Sequence, residues 1–195
     1  MKKYEFTGET KEIKLLFRTA VLHRIRATVS FGFVKIGDLG GWIEKEENLS
    51  HEGKAWVCGD AKVWGNAKVC GDAKVWGNAK VCGDAKVCGD AEVCGDAKVC
   101  GDAKVCGDAK VFSASHVLVI GAIGSRNDFT TFYRDKDNEI TVKCGCFLGK
   151  IDRFLEKVTQ THGDSKYALV YRAAVEVAKL QIDLSGEAPK DADEE

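Results

Sequence analysis

The chain of 195 residues has a single proline, and that one, Pro189, lies in an acidic stretch of small residues at its end. No element upstream is therefore interrupted by a residue without an N–H. No apolar run approaches the ~18 residues a membrane span requires. The start, Met1-Lys2-Lys3-Tyr4-Glu5, lacks the apolar core of a signal peptide. A formal net charge of −1 supplies no overall field toward nucleic acid or an anionic membrane. The expectation is a cytoplasmic protein with neither a membrane nor a nucleic acid polymer as partner. Histidine is missing between residues 55 and 111, and no Cys-x2-Cys zinc spacing occurs despite nine cysteines. Seven of those cysteines recur at one phase of a repeat, so they read as small apolar filler.

The repeat itself fills residues 55–114. Ten consecutive hexads follow the form Ala-x-Val-x-Gly-(Asp/Asn), beginning with Ala55-Trp56-Val57-Cys58-Gly59-Asp60. Ala and Val hold their positions in all ten, and Gly-Asp or Gly-Asn closes the first nine. On an extended chain Ala61 and Val63 point to one side, while Lys62 and Trp64 point to the other. Gly65-Asn66 supplies a corner, because both residue types accept positive φ. Three such sides close a coil of eighteen residues, and coils stack at about 4.8 Å through parallel ladders. Stepping by eighteen gives inner columns Val57/Val75/Val93/Val111, Val63/Val81/Val99 and Val69/Val87/Val105. The outer Cys, Trp and Phe positions form an apolar stripe on each face. Eight lysines are balanced by seven aspartates and Glu92, so the lysine ladder reads as a solvated face.

These hexads resemble those of left-handed parallel β-helices. The resemblance implies the handedness, which spacing does not, and it also implies a homotrimer, since such helices commonly associate side by side. The expected fold is mainly β: a parallel β-helix of hexapeptide repeats with an N-terminal β cap and a C-terminal α+β domain. The expected segments are 1–48, a β cap; 49–114, the β-helix, with Leu49 and His51 in the Ala and Val phases; 115–182, the α+β domain; and 183–195, a disordered acidic tail.

In the cap, Tyr4–Thr7, 13–18 and 21–27 read as strands. Gly37-Asp38-Leu39-Gly40-Gly41-Trp42 reads as a turn that lays Trp42 over the first coil; it has neither the Lys-Ser/Thr ending nor the helix of a phosphate loop. Beyond the repeat, 117–120 is an apolar strand, 129–134 and 140–144 form a hairpin, and Cys144-Gly145-Cys146 reads as a strand end. A helix runs over 151–162, stopped by Gly163. A second helix reaches about 182, with Tyr167, Val170, Tyr171, Ala174, Val177 and Ala178 at buried spacing.

Gly37–Trp42, the hexads, Ile123-Gly124-Ser125-Arg126-Asn127-Asp128 and Thr130-Thr131-Phe132-Tyr133-Arg134 together look like hexapeptide-repeat proteins encoded by phages and prophages. That resemblance covers nearly the whole chain and implies architecture better than activity. Three functions compete. An acyltransferase-like enzyme would need a histidine or an inserted loop along the coils, and neither is there; His51 and His116 only flank them. A structural scaffold growing end to end conflicts with unlike modules at the two ends. A binding protein fits best, with Ser125, Arg126, Asn127, Thr130, Thr131, Tyr133 and Arg134 as an anion-recognising set. The expectation is therefore a non-catalytic, trimeric protein without metal or cofactor. It would sequester a small phosphorylated, nucleotide-like ligand, and the phage resemblance points to a sponge for an immune signalling nucleotide in a bacterial host.

Overall fold

A computed structural model describes residues 2–187 of the chain. Three strands come first: β1 (Tyr4–Lys14), β2 (Thr19–Ala27) and β3 (Leu39–Ile43). Ten two-residue strands follow, each made of the second and third hexad positions. They are β4 (Trp56–Val57), β5 (Lys62–Val63), β6 (Lys68–Val69), β7 (Lys74–Val75), β8 (Lys80–Val81), β9 (Lys86–Val87), β10 (Glu92–Val93), β11 (Lys98–Val99), β12 (Lys104–Val105) and β13 (Lys110–Val111). The chain closes with β14 (Val117–Ile123), β15 (Asp128–Arg134), β16 (Ile140–Cys144), β17 (Phe147–Lys150), α1 (Ile151–His162) and α2 (Lys166–Gln181).

The hexads wind into a three-faced parallel solenoid. One face is β4-β7-β10-β13, another β6-β9-β12, and the third β5-β8-β11. Each pairing steps by eighteen residues, as with Lys62 on Lys80 and Val63 on Val81. All ten hexad valines and all ten alanines are fully buried, which makes the interior a dry core of two residue types. The corners depend on glycine: Gly71 has φ +71°, and a Cβ there would stand 2.9 Å from the Gly89 nitrogen of the next coil. No L side chain fits that stack without displacing the coil above it.

The N-terminal segment joins the solenoid more intimately than a lid would. β1 and β2 form one long antiparallel hairpin, with a register shift at Gly8 between Phe6 and Thr10. The strand expected over 13–18 is instead the end of β1 plus the hairpin tip. β3 then adds in parallel below β5, setting Ile43 on Val63 and Trp42 on Lys62. Trp42 thus points outward and does not cover the first coil. It packs with Ala20, Leu22 and Trp64. Gly40 and Gly41 are needed for packing: a Cβ on Gly41 would lie 2.7 Å from the Ala61 carbonyl oxygen. Ile43 and Leu49 continue the inner columns at the open end, on Val63 and Val69, and Tyr4, Ile25 and Trp56 belong to the same buried cluster. Leu49 bridges Val69 and so takes the Val position, not the Ala position. His51 lies outside the column, stacked on Tyr4 at 4.3 Å.

The C-terminal module is a four-stranded antiparallel sheet, β14-β15-β16-β17, backed by α1 and α2. β17 is not apparent in the sequence, because it is four residues long and Gly149 interrupts its alternation. On α2 the buried residues are Ala168, Tyr171, Ala174, Val175 and Ala178. Tyr167, Val170 and Val177, expected inside, are exposed. Of the disordered tail expected over 183–195, Asp183 donates its N–H to the Ser115 carbonyl, and the Ser185 and Gly186 carbonyls accept from Arg134; residues 188–195 lie outside the described residues.

Candidate functional site

The seven residues expected to recognise an anion separate into two groups. Thr130, Thr131, Tyr133 and Arg134 are all buried on β15, at most 3% exposed. Their partners show why. The last coils leave strand edges and an apolar interior that something must cover. β15 supplies that cover: Thr131 Oγ1 accepts the Lys104 N–H at 3.0 Å, and the Tyr133 hydroxyl donates to the Cys106 carbonyl at 2.8 Å. Thr130 Oγ1 donates to Cys144 Sγ at 3.3 Å. Arg134 lies over the Phe112 ring at 4.4 Å and donates to Asn138 Oδ1 and to the carbonyls of Ser185 and Gly186. Its donors are engaged within the chain. Thr131, Tyr133 and Arg134 join the module to the solenoid, while Thr130 bonds within the module's own sheet.

Ser125, Arg126 and Asn127 are exposed on the β14–β15 turn, where Asn127 has φ +50°. Ser125 and Arg126 line a cleft of about 470 Å3 between this turn, the β16–β17 turn and the two helices. That volume lies in the range of small-molecule sites. Phe147, Phe154 and Tyr171 give it an aromatic lining, and Asp128, Lys157, Thr161 and His162 add polar groups. Asn127 does not line it.

The local sequence explains this placement. Gly124 (φ +71°) and Gly145 (φ +55°) make the two turns. A side chain at Gly124 would overlap the Tyr171 ring and hydroxyl, and one at Gly145 would come within 3.1 Å of the Arg126 guanidinium. Glycine at both positions lets arginine and tyrosine approach the backbone closely. Tyr171 packs edge-on to Phe154 (5.5 Å) and stacks with His162 (5.8 Å). Burial, with the Cys144 thiol beside it, pushes the Tyr171 phenol up to about 12, so it is a neutral donor at physiological pH. Arg126 and Lys157 are the cations of the cleft and Asp128 its carboxylate. Chemically this suits a planar, partly apolar molecule with an anionic group.

Lys157, His162, Tyr171 and Phe147 were not named as site residues from sequence. Lys157 and His162 sit on a helix whose spacing shows only an apolar side, and no local motif marks a cleft between separate elements. Among the described residues, no group of three or more His, Cys, Asp or Glu stands together as a metal site. No helix there is long and apolar enough to cross a membrane. No protein-family model matches the sequence, and no curated protein matches it.

Proposed function

We propose that the protein is a non-catalytic, self-associating binding protein that sequesters a small phosphorylated, nucleotide-like ligand in the cleft of its C-terminal module. The observation that carries this reading is the pairing of Arg126 and Lys157 with the Phe147, Phe154 and Tyr171 rings in one cavity. The two cations take the phosphate, and a ring stacks on the base. The reading also takes the coils as left-handed and the source as a phage or prophage, on the resemblance of the hexads and their flanks. In that setting the ligand is an immune signalling nucleotide and its removal is the function. A homotrimer would present three clefts. Its support is the outward cysteine columns, where Cys70, Cys82 and Cys88 remain half-buried and Cys100 exposed. That support is reduced where the chain covers its own stripes, with Trp64 under Leu22 and Trp42.

The experiment is mass spectrometry of small molecules released from gently purified protein, with calorimetry against a panel of mono- and dinucleotides. Arg126→Ala and Lys157→Ala should each weaken binding about tenfold to a hundredfold, as expected for a lost charge-assisted hydrogen bond. Arg134→Ala should lower stability instead. An empty spectrum together with a silent panel refutes the reading.

A further inference from the structure

The outward cysteines of the coils are not equivalent. Cys58 and Cys94 are separated in their column by Trp76, and Cys106 is 9% exposed beneath β15. Cys82 and Cys100 stand one above the other. β8 pairs with β11 in register, Val81 on Val99, and the Cys82 N–H donates to the Val99 carbonyl at 3.0 Å. Neighbouring coils lie about 4.8 Å apart, within the Cα separation of roughly 4.4–6.8 Å that a disulfide spans. On its other side Cys82 meets the coil of Trp64, which is packed with Ala20, Leu22 and Trp42. β11 is the last strand of its sheet, Cys100 is exposed there, and a Cβ on the adjoining Gly101 would meet nothing within 4 Å. The hydrogen bond from the Cys82 thiol, followed by the Lys98 and Lys80 charges, pulls the Cys100 thiol down to about 7. The same hydrogen bond, together with burial, pushes the Cys82 thiol up, so it remains a protonated donor. Thiolate character, exposure and a second thiol alongside are the features of cysteines that oxidise reversibly.

We propose that Cys82 and Cys100 form a reversible oxidation site, in which Cys100 reacts with hydrogen peroxide and Cys82 resolves the product as a disulfide across the last two coils of their face. The Cys100 thiolate attacks one peroxide oxygen, and the O–O bond breaks. Cys100 becomes a sulfenic acid, while the departing hydroxide takes up a proton and leaves as water. The Cys82 sulfur then attacks the Cys100 sulfur. The S–S bond forms, the S–O bond breaks, and the leaving hydroxide carries off the Cys82 proton as a second water. Two thiols are thereby oxidised and one peroxide is reduced to two waters. The other stacked thiols, Cys70, Cys88 and Cys106, lack this access, because the sulfur whose neighbours favour its thiolate is the buried Cys106. The site is separate from the ligand cleft, and it requires the Cys100 edge to be open to solvent.

Oxidation of the reduced, full-length protein with a low molar excess of hydrogen peroxide tests it. Trypsin releases the same Val-Cys-Gly-Asp-Ala-Lys peptide around Cys82, Cys100 and Cys106, so serine variants must make the assignment. Wild type should lose two hydrogens from its intact mass and fall from nine titratable thiols to seven in denaturant. Dithiothreitol should reverse both changes. Cys100→Ser should show neither change, and Cys88→Ser should show both. Cys82→Ser should stop at the sulfenic acid, which dimedone traps as one adduct per chain, and adding Cys100→Ser should abolish that adduct. A wild type that keeps nine thiols overturns the proposal. So does a Cys100→Ser chain that still loses two, or a Cys82→Ser chain without a Cys100-dependent adduct.

Discussion

Two arginines with the same sequence credentials end in opposite situations. Arg126 keeps its guanidinium at a cleft, while Arg134 is 3% exposed and engaged by Asn138 and two backbone carbonyls. Of the seven polar residues of that cluster, Thr131, Tyr133 and Arg134 serve to attach a sheet to a solenoid. Alternation on β15 offered no discrimination, since both of its faces are buried, one toward the coils and one toward the helices. His116 illustrates a second residue-scale effect. It is 2% exposed, its Nδ1 accepts the Phe112 N–H at 3.3 Å, and burial followed by the nearby Arg134 charge holds its pKa below the usual value. A depressed histidine pKa means the unfolded chain takes up a proton before the folded one does. Stability from this group is thus complete above the unfolded value of about 6.5 and is lost as pH falls through the folded value. Urea midpoints should fall between pH 7.5 and 5.5, and His116→Asn, whose Oδ1 can accept the same N–H, should show a shallower decline. Equal slopes in the two proteins would assign the acid sensitivity elsewhere.

At the scale of elements, what was legible follows from how many times the sequence repeats itself. Ten copies of one hexad fix the strand phase, the corner and the inward residues, and each is observed where expected. The non-repeating ends offered single instances. The glycine-rich turn before Trp42 predicts a ring laid over the first coil, yet Gly40 and Gly41 let β3 enter the sheet and rotate that ring outward. On α2 the helical period was visible, but two opposite apolar faces share it, and periodicity alone does not say which one meets the sheet. The cleft was illegible for a related reason: its lining comes from two turns and two helices distant in sequence. Corners provide the sharpest check on the repeat. Gly71→Ala combines a left-handed φ with a Cβ 2.9 Å from the next coil, and should cost about 1–3 kcal/mol or more. Gly101→Ala has an equally positive φ (+68°) but nothing within 4 Å, so it should cost less. Chemical denaturation of the two variants separates conformational strain from coil-to-coil crowding, and equal losses would mean that crowding adds nothing.

For the whole molecule, the solenoid works as a spacer whose coils are energetically alike and touch only their neighbours. Every ladder repeats at eighteen residues, so excising residues 79–96 removes one full coil and rejoins Asn78 to Ala97 in phase. β5 would then pair with β11, β6 with β12 and β7 with β13, each valine still on a valine. Neither end loses a contact that closes it: Ile43 still sits on Val63, and Tyr133 still meets Cys106. The shortened protein should fold cooperatively, unfold at a somewhat lower temperature, and bind any ligand of the Arg126 cleft with wild-type affinity. Excising only residues 79–84 should also fold, because each hexad is one side of the triangle, but it turns the C-terminal module by one face relative to β1 and β2. Contacts between copies that use both ends would then be lost while the cleft stays intact. Calorimetric titration and native mass on the two deletions therefore divide the molecule's roles. Unchanged affinity in both locates recognition in the terminal module, whereas loss of binding in the eighteen-residue deletion would place it on the coils.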